Sequence, residues 1–358
     1  VVSTPLQIDG AMGEGGGQVL RSALSLSLVT GRAFHMTHIR ANRERPGLRP
    51  QHLAAVQAAA QVCAAEVSGD QVGSREIQFR PGPVHPGAYR FDIGTAGATA
   101  LVLQTLLLPL ARAAGHSVVT ITGGTHVPWS PCFHYLDWQW RPFLARLGIP
   151  FELQMPAAGF YPKGGGELDA RIPGGAQPAG IHLVERGALK GIRGLSAVAR
   201  LPLTIAERQR DQTLRRLQAM QPELSADITL SKLPAGSPGT LLLLLAEFES
   251  GQACCFALGA RGKRAEQVAD EAVHALASVL HSDAAIDPWL ADQLLLPLAL
   301  ANGPSTLRTS EVTRHLLTNA EVIRLFLPVV IAVDAPLGAS ADVHITPATQ
   351  ATGCQTTS

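Results

Sequence analysis

Apolar and polar positions along the chain follow one grammar that is read twice before residue 155. Residues 7–9 end a short strand. The apolar run 19–29 has helical spacing and stops at Gly31, which predicts a helix over 18–30, and residues 33–40 alternate as a strand does. A loop holding Pro46, Gly47 and Pro50 separates this strand from a second helix, 51–65, and a strand, 76–79. The same order returns as strand 89–93, turn 94–97, helix 99–114 closed by Gly115, strand 117–122, loop 123–131, helix 135–147 closed by Gly148, and strand 151–154. A third copy begins near the C-terminus. Leu294-Leu295-Leu296-Pro297-Leu298-Ala299 repeats Leu106-Leu107-Leu108-Pro109-Leu110-Ala111, with Gly303 at the offset of Gly115, and strand 305–309 and helix 320–327 follow.

Between the second and third copies the pattern changes. Residues 159–167 form another glycine turn and 174–180 a surface loop. The stretch 185–282 then reads as strand 195–201, helix 206–220, strands 227–233, 240–248 and 254–258, and a long helix 265–280. The predicted fold is therefore mixed α/β (α+β). A large domain of three or more α/β repeats occupies 1–184 and 283–340, and a small α/β domain is inserted over 185–282. A mobile tail is expected over 341–358, where Ala, Ser and Thr replace periodicity.

With 358 residues, 46% of them hydrophobic, the chain can bury a large core. A formal charge of +1 gives no global polyanion signature, so contact with nucleic acid must come from local clusters. The four lysines, at 163, 190, 232 and 263, leave few candidates for lysine chemistry. Five cysteines without a C-x-x-C pair suit a reducing cytoplasm and argue against structural zinc. No signal-peptide pattern and no apolar run of membrane-spanning length is present, so a soluble cytoplasmic protein with no membrane partner is expected.

The stretch Asp9-Gly-Ala-Met-Gly-Glu-Gly-Gly-Gly-Gln18 opens the first helix. Five glycines around one carboxylate permit sharp turns and close approach of a ligand to the backbone, and the helix start offers free N–H groups to an anion. Neither Lys163 nor Lys263 completes a P-loop, Gln18 stands where a dinucleotide fingerprint needs glycine, and no G-x-S-x-G elbow occurs. What remains is a set of polar residues at corresponding corners of the repeats: Glu14, Arg21, the 40–49 arginine loop, Gln104, the 128–131 loop, Asp292 and His315. Thr318 with Glu321 reads as a capping box, which predicts that a helix starts just after His315 and leaves the histidine in the corner loop.

These residues also resemble a known family. Asp9-Gly-x-x-Gly-Glu-Gly-Gly-Gly-Gln-x-Leu-Arg-Ser, Arg40 with Pro46-Gly47-Leu48, His52-Leu53, Gly94-x-Ala96-Gly97, Leu103-Gln104-Thr105, Gly123-Gly124-Thr125, Gly159-Phe160-Tyr161-Pro162-x-Gly-Gly-Gly, Leu290-Ala291-Asp292-Gln293 and His315-Leu-Leu-Thr-Asn are similar to motifs of the RNA 3'-terminal phosphate cyclases. The resemblance runs from about residue 7 to 330. It implies ATP-dependent conversion of an RNA 3'-phosphate to a 2',3'-cyclic phosphate, and a fold related to the enolpyruvyl transferases and to the C-terminal domain of a translation initiation factor.

On the same resemblance His315 is the nucleophile that takes AMP, and Glu14 is the carboxylate near a Mg²⁺ (or Mn²⁺) ion on the triphosphate. Gln104, Pro131, Trp289, Leu290, Ala291, Asp292 and Gln293 line the adenosine pocket, with Asp292 placed for the ribose hydroxyls and Trp289 for stacking. Arg21, Arg40, Arg43 and Gln51 hold phosphates of ATP or of RNA bearing a 3'-phosphate end. His126-Val127-Pro128-Trp129 departs from the smaller polar residues expected in this family. Two rivals remain open: a non-catalytic cyclase-like factor of ribosomal RNA maturation, disfavoured by His315, and an enolpyruvyl-type transferase, disfavoured by the scarcity of lysine. Oligomeric state is left open.

Overall fold

The computed structural model describes residues 4–224 and 226–347. The first unit runs β1 (Leu6–Asp9), α1 (Gly17–Thr30), β2 (Phe34–Thr37), α2 (Pro50–Cys63), β3 (Glu66–Ser68) and β4 (Ile77–Arg80). Its sheet has the order β1-β2-β4-β3, with β1 parallel to β2 and the other pairs antiparallel. Gly31 closes α1 in the left-handed region at φ 69°, its N–H bonded to the Ser27 carbonyl, the usual role of a glycine there.

The second unit repeats this topology. It comprises β5 (Ala88–Asp92), α3 (Thr99–Arg112), β6 (Ser117–Gly123), α4 (Phe133–Tyr135), a π-helical turn (Leu136–Trp140), α5 (Arg141–Arg146), β7 (Glu152–Ala157) and β8 (Gly166–Ile172). The strand order is β5-β6-β8-β7, again with the first pair parallel.

The third unit opens with β9 (His182–Leu183) and is then interrupted by β10 (Leu189–Ala199), α6 (Leu203–Met220), β11 (Ala226–Lys232), β12 (Gly239–Phe248), β13 (Gln252–Leu258) and α7 (Ala265–Leu280). It resumes with α8 (Pro288–Ala299), β14 (Ser305–Thr309), α9 (Arg314–Phe326), β15 (Val329–Val333) and β16 (Ala341–Pro347). The order β9-β14-β16-β15 is the same topology a third time.

Several elements differ from the sequence expectation, three of them in ways that bear on the repeat. The third unit starts before the interruption, because β9 is two residues long and too short to show alternation. Residues 341–347 are no mobile tail: β16 pairs with both β14 and β15, and Val343 and Ile345 are fully buried, so alternation hidden among small polar residues seats a strand inside the sheet. The rest of that tail, 348–358, lies outside the described residues. The expected strand 33–40 stops at Thr37, because His38 and Arg40 take positive φ.

One apolar cluster draws on all three units, with α1 packed against α2, α3 and α9, and α8 against α9. The interrupting segment builds its own sheet, β11-β10-β12-β13. The leucine run of β12 is apolar at every position because both of its faces are covered. Leu242 and Leu244 cluster with residues of α7, whereas Leu241, Leu243 and Leu245 cluster with Cys132 and Tyr135 of the second unit. No helix among the described residues is long and apolar enough to cross a membrane.

Asp287, fully buried, ties these parts together. Its carboxylate caps α8 through the Leu290 N–H at 2.9 Å and accepts from the Tyr135 hydroxyl at 2.8 Å, the Gln139 amide at 2.6 Å and the Cys254 N–H at 3.2 Å. Burial pushes this carboxyl up from its ordinary range, and the four donors pull it back. Asp287→Ala strands buried donors in three segments at once, so unfolding in urea should show a loss of about 3 kcal/mol or more. An unchanged midpoint would contradict the anchoring role.

Candidate active site

The glycine loop after β1 is shaped by what descends on it. Gly13 and Gly15 adopt φ 58° and 59°. A Cβ at Gly13 would collide with the Thr318 side chain and one at Gly15 with Asn42, so glycine lets α9 and the arginine loop close onto the turn. Gly16 precedes α1 with no side-chain cap, which leaves first-turn N–H groups free for an anion.

Helix α9 begins at Arg314, capped by the Thr313 hydroxyl on the Leu316 N–H at 3.0 Å. His315 is thus in the first turn of the helix rather than in the preceding loop. The expected capping box at Thr318 fails because that hydroxyl donates to the Arg314 carbonyl at 2.7 Å and accepts the Glu14 N–H at 3.3 Å. A threonine inside the first turn mimicked a cap in the sequence.

Helices α1 and α9 meet through two rungs one turn apart. Gln18 Oε1 lies in a short contact with His315 Nδ1, and the Ser22 hydroxyl donates to Asn319 Oδ1 at 2.7 Å. Both steps, 18 to 22 and 315 to 319, are i to i+4, so the helices run side by side with their N-termini at the same end. Gln18 Nε2 donates to Asp292 Oδ1 at 2.6 Å, and Asn319 Nδ2 donates to the same oxygen at 3.0 Å. Oδ1 therefore acts as an acceptor, which turns the carbonyl end of Gln18 toward His315. Nδ1 then carries a proton toward Gln18, and Nε2 is the nitrogen left for a second partner.

Nε2 faces Glu14, whose Oε2 lies 3.1 Å away, while Glu14 Oε1 accepts from Arg43 at 2.6 Å. The His315 side chain is half exposed, and Glu14 is largely covered. Burial pulls the Arg21 guanidinium down to about 10, with Asp292 and Glu14 opposing the shift, so it stays charged near neutrality. Burial also raises the Asp292 carboxyl, opposed by His315, Gln18, Asn319 and Arg21. With Arg40, Arg43 and Arg49 nearby, positive charge exceeds the two carboxylates, as suits a polyanionic ligand.

Other expected site residues are distributed as follows. Gln104 and Gln293 meet, Nε2 to Oε1 at 2.8 Å, which joins the second unit to the third beside Asp292. Trp289 is 47% exposed at the start of α8, and Pro131 ends the loop before α4. Leu290 and Ala291 are fully buried in the apolar core, so their side chains face away from any ligand; within a helix every third or fourth residue turns inward. Arg40 does not end a strand. One of its nitrogens donates to the carbonyls of Arg45 at 2.8 Å and Gly47 at 2.9 Å, holding its own loop. Gln51 accepts the Ala98 N–H at 3.2 Å and links the first unit to the second. Gln18, Ser22, Thr318 and Asn319 were missed as site residues, although all four lie within the motifs that signalled the loop and the histidine.

The first two turns of α1, α8 and α9 meet at one corner of a triplicated α/β scaffold, with an imidazole held between a glutamine and a carboxylate. A model of the family "RNA 3'-terminal phosphate cyclase" matches residues 12–333. The chain is 48% identical over 325 residues to the RNA 3'-terminal phosphate cyclase of Pseudomonas fluorescens (90% of this chain, 93% of that protein). It is 45% identical over 336 residues to that of Ralstonia nicotianae (94% and 95%) and 44% over 328 residues to that of Gloeothece citriformis (90% and 93%). The chain belongs to the RNA 3'-terminal phosphate cyclase family and is an enzyme of that class. A solved structure, the enolpyruvyl transferase NikO from Streptomyces tendae, overlaps 47% of this chain and 33% of its own at 15% identity with a TM-score of 0.27, too low to bear on the fold.

Buried imidazoles behind the site should make the protein acid-sensitive. His52 is pushed down to about 3 by burial and by Arg21, Arg40, Arg49 and Arg43, and His134 to about 4 by burial. Burial and His134 push His126 well down. The unfolded chain takes up protons on these rings below about pH 6.5, which the folded protein resists, so their stabilising contribution is full above that pH and is lost as pH falls toward 4 and 3. Thermal midpoints should drop between pH 6.5 and 4, and His52→Gln should make that drop shallower. An unaltered slope in the variant would contradict the assignment.

Proposed function

We propose that the protein converts an RNA 3'-terminal phosphate to a 2',3'-cyclic phosphate at the expense of ATP, through AMP carried on His315. The observation that supports this most is the relay Asp292–Gln18–His315. It holds a proton on Nδ1 and leaves Nε2 against Glu14 in a half-exposed corner that also holds Arg43. A neutral imidazole so held is a competent nucleophile toward phosphorus.

When Nε2 carries a proton the Glu14 contact covers the nitrogen; passing that proton to the Glu14 carboxylate or to water, as the carboxyl moves aside, exposes the lone pair. Nε2 then attacks the α-phosphorus of ATP, an N–P bond forms, the bond to the β-phosphoryl oxygen breaks, and pyrophosphate leaves. An oxygen of the RNA 3'-phosphate next attacks the AMP phosphorus and the N–P bond breaks, returning His315. Finally the neighbouring 2'-hydroxyl attacks the 3'-phosphorus, losing its proton, and AMP leaves as the ring closes. Arg21 and Arg43 neutralise the phosphates, and the open N–H groups of α1 add donors.

Glu14, whose two oxygens meet Arg43 and His315 here, would hold Mg²⁺ or Mn²⁺ together with phosphate oxygens once those contacts give way, and the ion would offset triphosphate charge. Gln104, Gln293, Pro131, Trp289 and Asp292 form the adenosine side of the site, with Leu290 and Ala291 contributing backbone. Arg40 and Gln51 shape the phosphate and RNA side by holding its loops. The four cysteines described are free and buried, which supports a reducing cytoplasmic setting.

Incubation with α-labelled ATP and Mg²⁺ should leave acid-labile, alkali-stable label on the protein. His315→Ala should abolish it, and Gln18→Ala should slow it by about tenfold or more. Label surviving His315→Ala would overturn the nucleophile. Normal adenylylation with no cyclisation of any 3'-phosphorylated oligoribonucleotide would overturn the acceptor.

A further inference from the structure

Trp129 is 100% exposed and sits at φ 64°. The left-handed region disfavours any residue with a Cβ, and full hydration of an indole forgoes the burial that large aromatic rings normally obtain. Both costs fall on one residue, in a loop that is otherwise firmly held. Thr125 N–H donates to the Gly159 carbonyl at 2.9 Å, the Thr125 hydroxyl accepts the Gly159 N–H at 2.9 Å, and Phe133 N–H returns to the Thr125 carbonyl at 2.9 Å. Beneath the loop, His126 links to His134 at 2.9 Å and stacks on Phe160. Val127 packs with Ala98 and Leu101 at the start of α3, one turn before Gln104. The ring is displayed by a rigid base.

The repeat identifies the counterparts of this loop. The loop between the second strand and second helix is the 38–49 arginine loop in the first unit and the approach to His315 in the third; in the second unit it is the 124–132 loop, with Trp129 in it. The neighbouring 159–165 turn, hydrogen-bonded to it at Thr125 and His126, carries Tyr161, 68% exposed, and the exposed Lys163. Two exposed aromatic rings and a cation on joined loops are the kinds of group that hold single-stranded nucleic acid, where bases stack and the backbone follows positive charge.

We infer that Trp129 is a stacking platform for a base of the RNA strand upstream of its 3'-phosphate. This rests on the proposed RNA substrate. Trp129 sets KM for RNA and takes no part in the transfer of AMP to His315.

Trp129→Ala should raise KM for a 3'-phosphorylated oligoribonucleotide about tenfold with kcat held within about twofold. Trp129→Phe should recover most of the loss, and the rate of labelling by ATP alone should stay at the wild-type value. Titration of the same oligonucleotide should quench tryptophan fluorescence in the wild type and much less in Trp129→Phe. An unchanged KM with equal quenching would overturn the inference. So would a parallel rise in KM for ATP, which would assign the ring to the nucleotide. A wild type that binds but does not cyclise the RNA would sink the reaction instead, with the stacking role still decided by the quenching.

Discussion

The Gln18 amide is the smallest part on which the site depends. One end donates to Asp292 and the other faces His315, so a single planar group converts the fixed charge of a carboxylate into a fixed proton position on an imidazole. A direct His–carboxylate contact would hold the ring as well, but would favour its doubly protonated form. An intervening amide fixes Nδ1 without adding to the pull that Glu14 already exerts at Nε2. The cost is three-part registry: Gln18 lies on α1, Asp292 on α8 and His315 on α9, and each must arrive in the same place.

Triplication supplies that registry. Helices α1 and α8 follow the first strand of their units and α9 the second strand of its unit, and their packing brings three N-termini to one end. Backbone N–H groups, Arg21 and the imidazole therefore converge from helices, and the 38–49 loop brings Arg43 to them. The interrupting segment enters between β9 and α8, where it could displace Asp292. Asp287 prevents this by capping α8 while accepting hydrogen bonds from the second unit and from β13. A buried carboxylate with four donors is costly to desolvate, and its return is geometric: it holds α8 against both neighbours.

Much of this was legible in sequence. The glycine loop, the paired Leu-Leu-Leu-Pro-Leu-Ala runs and the motif around His315 announced the repeat and the residues that meet at its corner. The short β9 and the strand β16 were not visible, because pairing with neighbours rather than local propensity makes them strands. Thr318 misled because a hydroxyl bonded back to the preceding turn has the same sequence signature as a cap. Gln18 and Asn319 were unassigned because uncharged amides show their roles only once their partners are in place. Arg40 and Gln51 had the right residue types for phosphate, yet both make bonds that hold loops.

The central claim is that Nε2 of His315 is the reacting atom because Nδ1 is held protonated by Gln18. Adenylylated protein carrying ¹⁵N-labelled histidine tests it through the phosphorus–nitrogen coupling seen by NMR. Coupling of the AMP phosphorus to Nε2 of His315, with Nδ1 still bearing its proton, is the predicted result. Coupling to Nδ1, or to any other histidine, would contradict the account.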